Sequence, residues 1–289
     1  MRVHLVDGTY ELFRAHHSRG PSRQDPAGRE VKATVGVVAS LLALLDDPEV
    51  THLAVAFDRP IESFRNERFP GYKDSQGVDP ELLAQLERVE TAVAALGVTV
   101  WSLDEFEADD ALATFALQVA DDVEQVRLLT PDKDLAQVVR GARIVQVDRV
   151  RGTVRDEAGV WERFGVAPAS IPDLLALVGD RADGLPGVPG IGARTAAALL
   201  ARYGHLEAIP TDPSAWEVSV RGAERIAASL AAHAEQLQLW RELATLVTDV
   251  PLATSLAAIA FRGVPRTRFS AWCDELGVDR LRDRPTRWA

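Results

Sequence analysis

LVGDRADGLPGVPGIGARTAAALL, residues 177–200, is the stretch on which the reading of the chain turns. Two carboxylates, Asp180 and Asp183, stand three apart and lead directly into a turn carrying Gly187, Pro189, Gly190 and Gly192. Behind the turn, 193–200 is rich in alanine and leucine, which are strong helix formers. Ahead of the carboxylates, the apolar run 171–178 opens with Pro172, a residue tolerated in a helix's first turn. The spacing predicts helix, glycine hairpin, helix. Such a hairpin brings backbone N–H groups up to a phosphate with no Cβ in the way, and the second helix's N-terminus adds amides and a favourable dipole. A Gly/Pro turn also serves as a plain connector. A dinucleotide-binding loop fits less well, because Gly190-Ile191-Gly192-Ala193-Arg194-Thr195 lacks a third glycine and follows a helix rather than a strand. What raises the hairpin above a connector is the pair of aspartates beside it.

Other segments deliver carboxylates in the same manner. Residues 3–7 and 52–58 read as apolar strands that end in Asp7 and Asp58. A strand at 98–101 is followed by Glu107, Asp109 and Asp110 at the head of an apolar helix, 111–119; helix capping accounts for one or two of these three but not for all. A strand at 126–129 leads into Asp132 and Asp134 and a helix at 135–139, and 144–147 reads as a fifth strand. Helices are expected at 10–17, 33–45 and 80–96. Strands and helices alternate as in a doubly wound parallel sheet, and from 156 onward the pattern is helical: 161–164, 171–178, 195–203, 223–239 and 240–247. The tail is expected to hold a strand at 255–261 and a helix at 269–276. Between 59 and 79, Arg65, Arg68 and Lys73 interleave with Phe64, Phe69 and Tyr72, a pattern that suits a surface gripping single-stranded nucleic acid and equally a solvated loop with anchoring rings.

The 289 residues carry a net charge of −11, at first sight the wrong sign for a phosphate-binding surface. Nine of the acidic residues, however, are those just named, and only three of the 32 basic residues are lysines. Arginine's planar fork suits bidentate phosphate contacts. One cysteine, Cys273, excludes an internal disulfide and a thiolate cluster. No run is long enough for a membrane span, and Asp7 and Glu11 interrupt any signal-peptide core, so a cytoplasmic protein is expected.

Several carboxylates gathered at one end of a sheet repel one another unless cations lie between them. Hard oxygen ligands without thiolates or a histidine pair favour Mg²⁺ or Mn²⁺, and nine carboxylates suffice for two or more ions. Two such ions about 3.5–4 Å apart support phosphodiester hydrolysis. A metal-dependent nuclease follows from the residues themselves.

The motifs LVDGTYELFRAHH, AVAFDRP, FRNERFPGYK, EFEADD, LLTPDKDLAQ and LVGDRADGLPGVPGIGARTA, in this order, resemble the 5′ nuclease family, that is, the N-terminal 5′–3′ exonuclease domain of bacterial DNA polymerase I and the standalone flap endonucleases. The likeness covers roughly residues 1 to 250, and the length leaves no room for a polymerase, so a standalone member is expected. The resemblance implies an α/β, PIN-like nuclease domain with a central, mostly parallel sheet at 1–155, its arch at 59–80, a helix-hairpin-helix region at 156–250, and an extension at 251–289 packing on the core. It implies that Asp7, Asp58, Glu107, Asp109 and Asp110 form one metal cluster and Asp132, Asp134, Asp180 and Asp183 a second. It further implies that Arg14 acts near the scissile phosphate and that Tyr72 and Lys73 engage the strand being cut, beside Arg65 and Arg68, which the basic–aromatic pattern itself suggests for DNA binding. The hairpin residues Gly187, Val188, Gly190, Ile191, Gly192, Arg194 and Thr195 would hold duplex DNA, with a K⁺ ion on the hairpin carbonyls. The implied substrates are 5′-flap, nicked or 5′-ended DNA and RNA primer–DNA hybrids. Gln76, where relatives commonly carry a second arch cation, makes this arch less basic. Two rivals stand beside this reading: a junction-binding protein with little catalysis, and a ribonuclease of the PIN type.

Overall fold

The computed structural model describes residues 1–289. The first elements along the chain are β1 (Arg2–Asp7), α1 (Gly8–His16), α2 (Lys32–Leu45), β2 (His52–Asp58) and α3 (Phe64–Arg68). Then come α4 (Pro80–Leu83), α5 (Leu86–Ala95), β3 (Thr99–Leu103), α6 (Ala108–Val119) and β4 (Gln125–Leu129). The second half holds β5 (Ile144–Asp148), β6 (Thr153–Arg155), α7 (Glu157–Phe164), α8 (Ile171–Val178) and α9 (Ala193–Tyr203). It continues with α10 (Ala223–Ala232), α11 (Ala234–Ala244), α12 (Arg266–Leu276) and α13 (Asp279–Arg282).

Two compact units share these elements, and the chain passes between them more than once. Unit 1 comprises Met1–Ser63, Ser75–Thr130 and Thr248–Ala289; unit 2 comprises Phe64–Asp74 and Pro131–Val247. The division therefore falls after 130 rather than at the expected 155, and the expected arch segment is split: 64–74 belongs to unit 2 and its flanks to unit 1.

In unit 1 the strands β3-β2-β1-β4 lie side by side, every pair parallel. Val3, Leu5, Val6, Leu53, Val55 and Phe57 are all but fully buried, as strands covered on both faces require. The register sets Asp7 opposite Ala56 and Asp58 opposite Leu103, so both aspartates emerge at the C-terminal edge of the sheet. Residues 248–289 also belong here. Leu53 N–H donates to the Ile259 carbonyl at 2.9 Å, Phe269 is fully buried, and the Arg287 guanidinium donates to the carbonyls of Leu45 and Val50. The expected strand at 255–261 reduces to a single bridge, His52 with Ala260, because a turn at 256–259 breaks the extension.

Unit 2 is mainly helical, with an antiparallel β5–β6 pair and a core formed by α8, α9 and α11 around Leu175, Leu177, Leu199 and Trp240. Helix, turn and helix occupy 171–203 as the spacing predicts. The long helix expected at 223–239 is two helices. His233 ends α10 and starts α11; its Nδ1 lies 2.8 Å from the Ser229 carbonyl and its own N–H bonds the same oxygen, which closes the first helix. The expected helix at 135–139 is a 3₁₀ turn, Asp134–Val138. No helix is long and apolar enough to cross a membrane.

Candidate metal centres and nucleic-acid interface

Several of the acidic residues of unit 1 accept hydrogen bonds from neutral donors. Asp7, at the end of β1, caps α1: its Oδ1 accepts the Tyr10 N–H at 2.8 Å, while its Oδ2 accepts the Thr130 hydroxyl at 2.9 Å. Asp58 Oδ1 accepts the Ala108 N–H, the first of α6, at 2.6 Å. At the head of that helix Asp110 accepts the Glu107 N–H at 3.0 Å, and Glu107 accepts the Ser63 hydroxyl at 2.9 Å. Asp7, Asp58, Glu107 and Asp110 are all buried, with Asp109 only partly so. These donors fix the directions of the Asp7, Asp58, Glu107 and Asp110 carboxylates.

Unit 2 brings together Asp134, Asp180 and Asp183, whose carboxylate oxygens lie within 4.8 Å of one another. Asp132 stands outside that trio and is exposed, although its oxygen accepts the Asp134 N–H. Asp180 and Asp183 sit on a loop pinned by two backbone bonds, Asp180 N–H to the Leu185 carbonyl at 2.8 Å and the reverse at 2.7 Å. Gly184 follows with φ +74°, and a Cβ there would fall 2.0 Å from the Gly71 carbonyl oxygen. Lys73 N–H donates to the Asp183 carbonyl at 3.1 Å, so the segment carrying Lys73 docks backbone to backbone on this loop. Lys73 Nζ lies 3.3 Å from Asp183 Oδ1, and Lys133 Nζ pairs with Asp180 Oδ2.

Burial, and then the charges of Asp132 and Asp183, push the Asp134 carboxyl well above the usual range. Burial pulls the Lys133 ammonium down, but its bond to Asp180 and the charges of Asp134, Asp180 and Asp132 outweigh that and raise it. Asp134 Oδ1 is buried with no hydrogen-bond partner. An orphaned buried carboxylate oxygen among like charges, in an all-oxygen set, fits a hard divalent cation.

The hairpin of unit 2 follows at once. Gly187 takes φ +72°, and a Cβ there would lie 2.4 Å from the Gly179 nitrogen at the end of α8; only glycine allows this approach. Around Gly190 and Gly192 the space is open, with nothing within 4 Å of a Cβ, and Arg194 is exposed. Val188 and Ile191, by contrast, are buried in the core of unit 2, where their side chains anchor the hairpin rather than meet a ligand.

Two expectations for the strand-gripping segment are corrected. Arg65 is 1% exposed; its guanidinium donates to the carbonyls of Leu243 at 2.8 Å and Thr245 at 3.1 Å, so it ties α3 to the end of α11. Tyr72 is buried in the unit 2 core, its ring 5.7 Å from Lys73 Nζ, and offers no open face for stacking. Arg68 is exposed and pairs with Glu242. Arg14, in α1, bonds the buried Glu11 carboxylate and lies 3.4 Å from the Ser40 hydroxyl. Thr130, Ser63 and Lys133 were not read as site residues from the sequence. Thr130 carried a signal: it follows the strand that the parallel order sets beside β1, with a hydroxyl at the end where Asp7 emerges.

Comparison with known proteins shows the family and the fold. Residues 2–165 match the 5′–3′ exonuclease N-terminal resolvase-like domain, and 166–267 match the 5′–3′ exonuclease C-terminal SAM fold. DNA polymerase I of Pseudomonas aeruginosa is 36% identical over 291 residues, covering 94% of this chain and 31% of that protein. The chain thus spans about a third of the length of the curated relatives it matches. Among solved structures, the phage T5 5′-exonuclease with bound zinc superposes with a TM-score of 0.68 at 19% identity, covering 96% of this chain and 98% of that one. The T5 flap endonuclease in a pseudo-enzyme-product complex with DNA and metal ions does so with 0.66 at 19%, covering 86% and 90%.

Proposed function

The chain belongs to the 5′–3′ exonuclease family, and from that premise we propose that it hydrolyses DNA phosphodiesters at or near 5′ ends and 5′-flap junctions in replication and repair. The observation that carries the reading is the Asp134, Asp180 and Asp183 trio, two of whose members, Asp180 and Asp183, lie on the same loop as an open glycine hairpin. A metal centre and a backbone grip for phosphate are thereby joined by a few residues of chain.

The trio, with Asp132, would hold one divalent ion, and Asp7, Asp58, Glu107, Asp109 and Asp110 would hold another, Mg²⁺ or Mn²⁺. When bound, such ions lower the pKa of water and neutralise charge on the phosphate. The residues of the chain do the rest. Thr130, Ser63 and the helix N–H groups orient the unit 1 carboxylates that would ligate this ion. Lys73, on a segment docked to the Asp183 loop, offers an ammonium to a phosphate oxygen, and Arg14 does so from α1. Gly190, Gly192, Arg194 and Thr195 bind duplex backbone without reading bases, and a K⁺ ion on the hairpin carbonyls would strengthen that grip. The substrates are 5′-flap, nicked or 5′-ended DNA and RNA primer–DNA hybrids, met in the cytoplasm. A second reading, a junction-binding protein with little catalysis, draws on Gln76 and the thinly basic arch.

An end-labelled 5′-flap duplex tests the proposal in Mg²⁺, in Mn²⁺ and with chelator, with the unmodified chain beside Asp132→Asn and Asp180→Ala. Cutting near the junction is expected only with metal, and Asp180→Ala should lose several kcal/mol of transition-state stabilisation, on the order of 10³-fold in rate. Tight binding without cutting under every metal condition would leave the junction-binding protein as the better account.

A further inference from the structure

We propose that Lys133 is a built-in counter-cation of the unit 2 carboxylate trio, holding Asp180 in place before metal arrives and competing with the metal for it. The proposal rests on the reading of that trio as a metal site.

Three carboxylate oxygens within 4.8 Å of one another are a poor arrangement for a folded chain without compensation. Lysines supply part of it. Lys133 Nζ contacts Asp180 Oδ2, and Lys73 Nζ stands 3.3 Å from Asp183 Oδ1. These are not loose surface pairs of the kind worth little. The Asp180 side chain is 5% exposed, and its other oxygen accepts the Ala182 N–H at 3.0 Å, so the carboxylate cannot turn away to water.

Lys133 is half-buried beside its partner. It borders an apolar cavity of about 210 Å³, lined also by Phe164, Ile171, Leu174, Leu175 and Val178. A methylene stem against that wall directs the ammonium to the one polar edge, where Asp180 waits. The third member of the trio, Asp134, is the next residue along the chain and keeps a buried oxygen without a hydrogen-bond partner. The trio is therefore only partly neutralised by the chain. Two lysines steady it, Lys133 in direct contact with Asp180, and one Asp134 oxygen stays without a hydrogen-bond partner.

A dication that takes Asp180 has to release the ammonium. Removing Lys133 therefore moves two quantities in opposite directions. The metal-free protein loses stability, because the carboxylates lose a counter-charge, while the affinity for metal rises, because a competitor is gone. A merely structural lysine would lower both.

The test uses the full chain carrying Asp58→Asn, which weakens the unit 1 cluster so that Mn²⁺ titration reports unit 2. Lys133→Met keeps the stem and removes the charge; Lys133→Arg restores the charge. Mn²⁺ affinity by calorimetry should rise about tenfold in Lys133→Met and return toward the parent in Lys133→Arg. The metal-free melting temperature should fall in Lys133→Met and recover when Mn²⁺ is added. Unchanged or weaker Mn²⁺ binding in Lys133→Met, with the parent binding normally, would overturn the counter-cation and leave the metal site standing. A parent that takes up no Mn²⁺ that depends on Asp134 and Asp180 would overturn both.

Discussion

The two acidic clusters hold the same kind of side chain by different means. In unit 1 the carboxylates are aimed by neutral dipoles: the N–H groups of Tyr10, Ala108 and Glu107, and the hydroxyls of Thr130 and Ser63. In unit 2 they are aimed by charge, with Lys133 on Asp180 and Lys73 on Asp183, and the surrounding architecture is tied by a third cation, Arg65. Neutral donors orient a carboxylate without competing for its charge. Ammonium groups orient it and also oppose an incoming cation. A site built the first way is ready at low metal, and one built the second way is conditional.

The largest test of this contrast is Arg65→Met. If cations assemble unit 2, removing this one strands the carbonyls of Leu243 and Thr245 and should lower unfolding stability by about 3 kcal/mol, read by urea denaturation. An unchanged midpoint would break the contrast, since the guanidinium would then be decorative.

Acidification should separate the units by sign. Burial, then the charge of Arg127, pushes His4 on β1 down to about 4 from 6.5. The unfolded chain takes up the proton first, so between pH 6.5 and 4 unit 1 loses up to about 3 kcal/mol, and His4→Gln should flatten that fall. Asp134 behaves in the opposite sense: its raised carboxyl is a cost to the metal-free fold at neutral pH that lessens as pH drops through the folded value. Melting of metal-free protein across this range, with Asp134→Asn alongside, measures both. A single common slope in His4→Gln and Asp134→Asn would erase the distinction.

The smallest effect belongs to a neutral donor. Thr130→Val leaves the fold intact but frees one Asp7 oxygen from its orienting bond, and should weaken metal binding or cleavage by roughly 10- to 100-fold. If the loss did not depend on metal concentration, Thr130 would not be acting through Asp7.

Much of this was legible in sequence because position along an element carries the information. Asp7 and Asp58 end apolar strands, and in a parallel sheet strand ends are where ligands are met. Asp180 and Asp183 announce themselves by lying beside a glycine turn. Arg65 was not legible: a basic residue among aromatics has the same local pattern whether it faces phosphate or two backbone carbonyls about 180 residues away. Tyr72 failed for the same reason. The tail strand failed because an apolar run is silent about whether a partner edge continues beside it, and here only Ala260 meets one. Lys133 was invisible for a different reason, since its role lies in what it touches and not in its spacing, whereas Thr130 could have been found from its place after the strand beside β1.

Arg65 also says something about how the protein comes to be. Its segment, 64–74, is translated early, yet the carbonyls that receive its guanidinium belong to residues 243 and 245. At about 5–20 residues per second, the ribosome delivers them roughly 10 to 35 s later. Unit 1 waits as well, because its residues 248–289 follow all of unit 2 along the chain. Neither unit can close on the nascent chain before the other is nearly written, so the two mature together rather than one after the other.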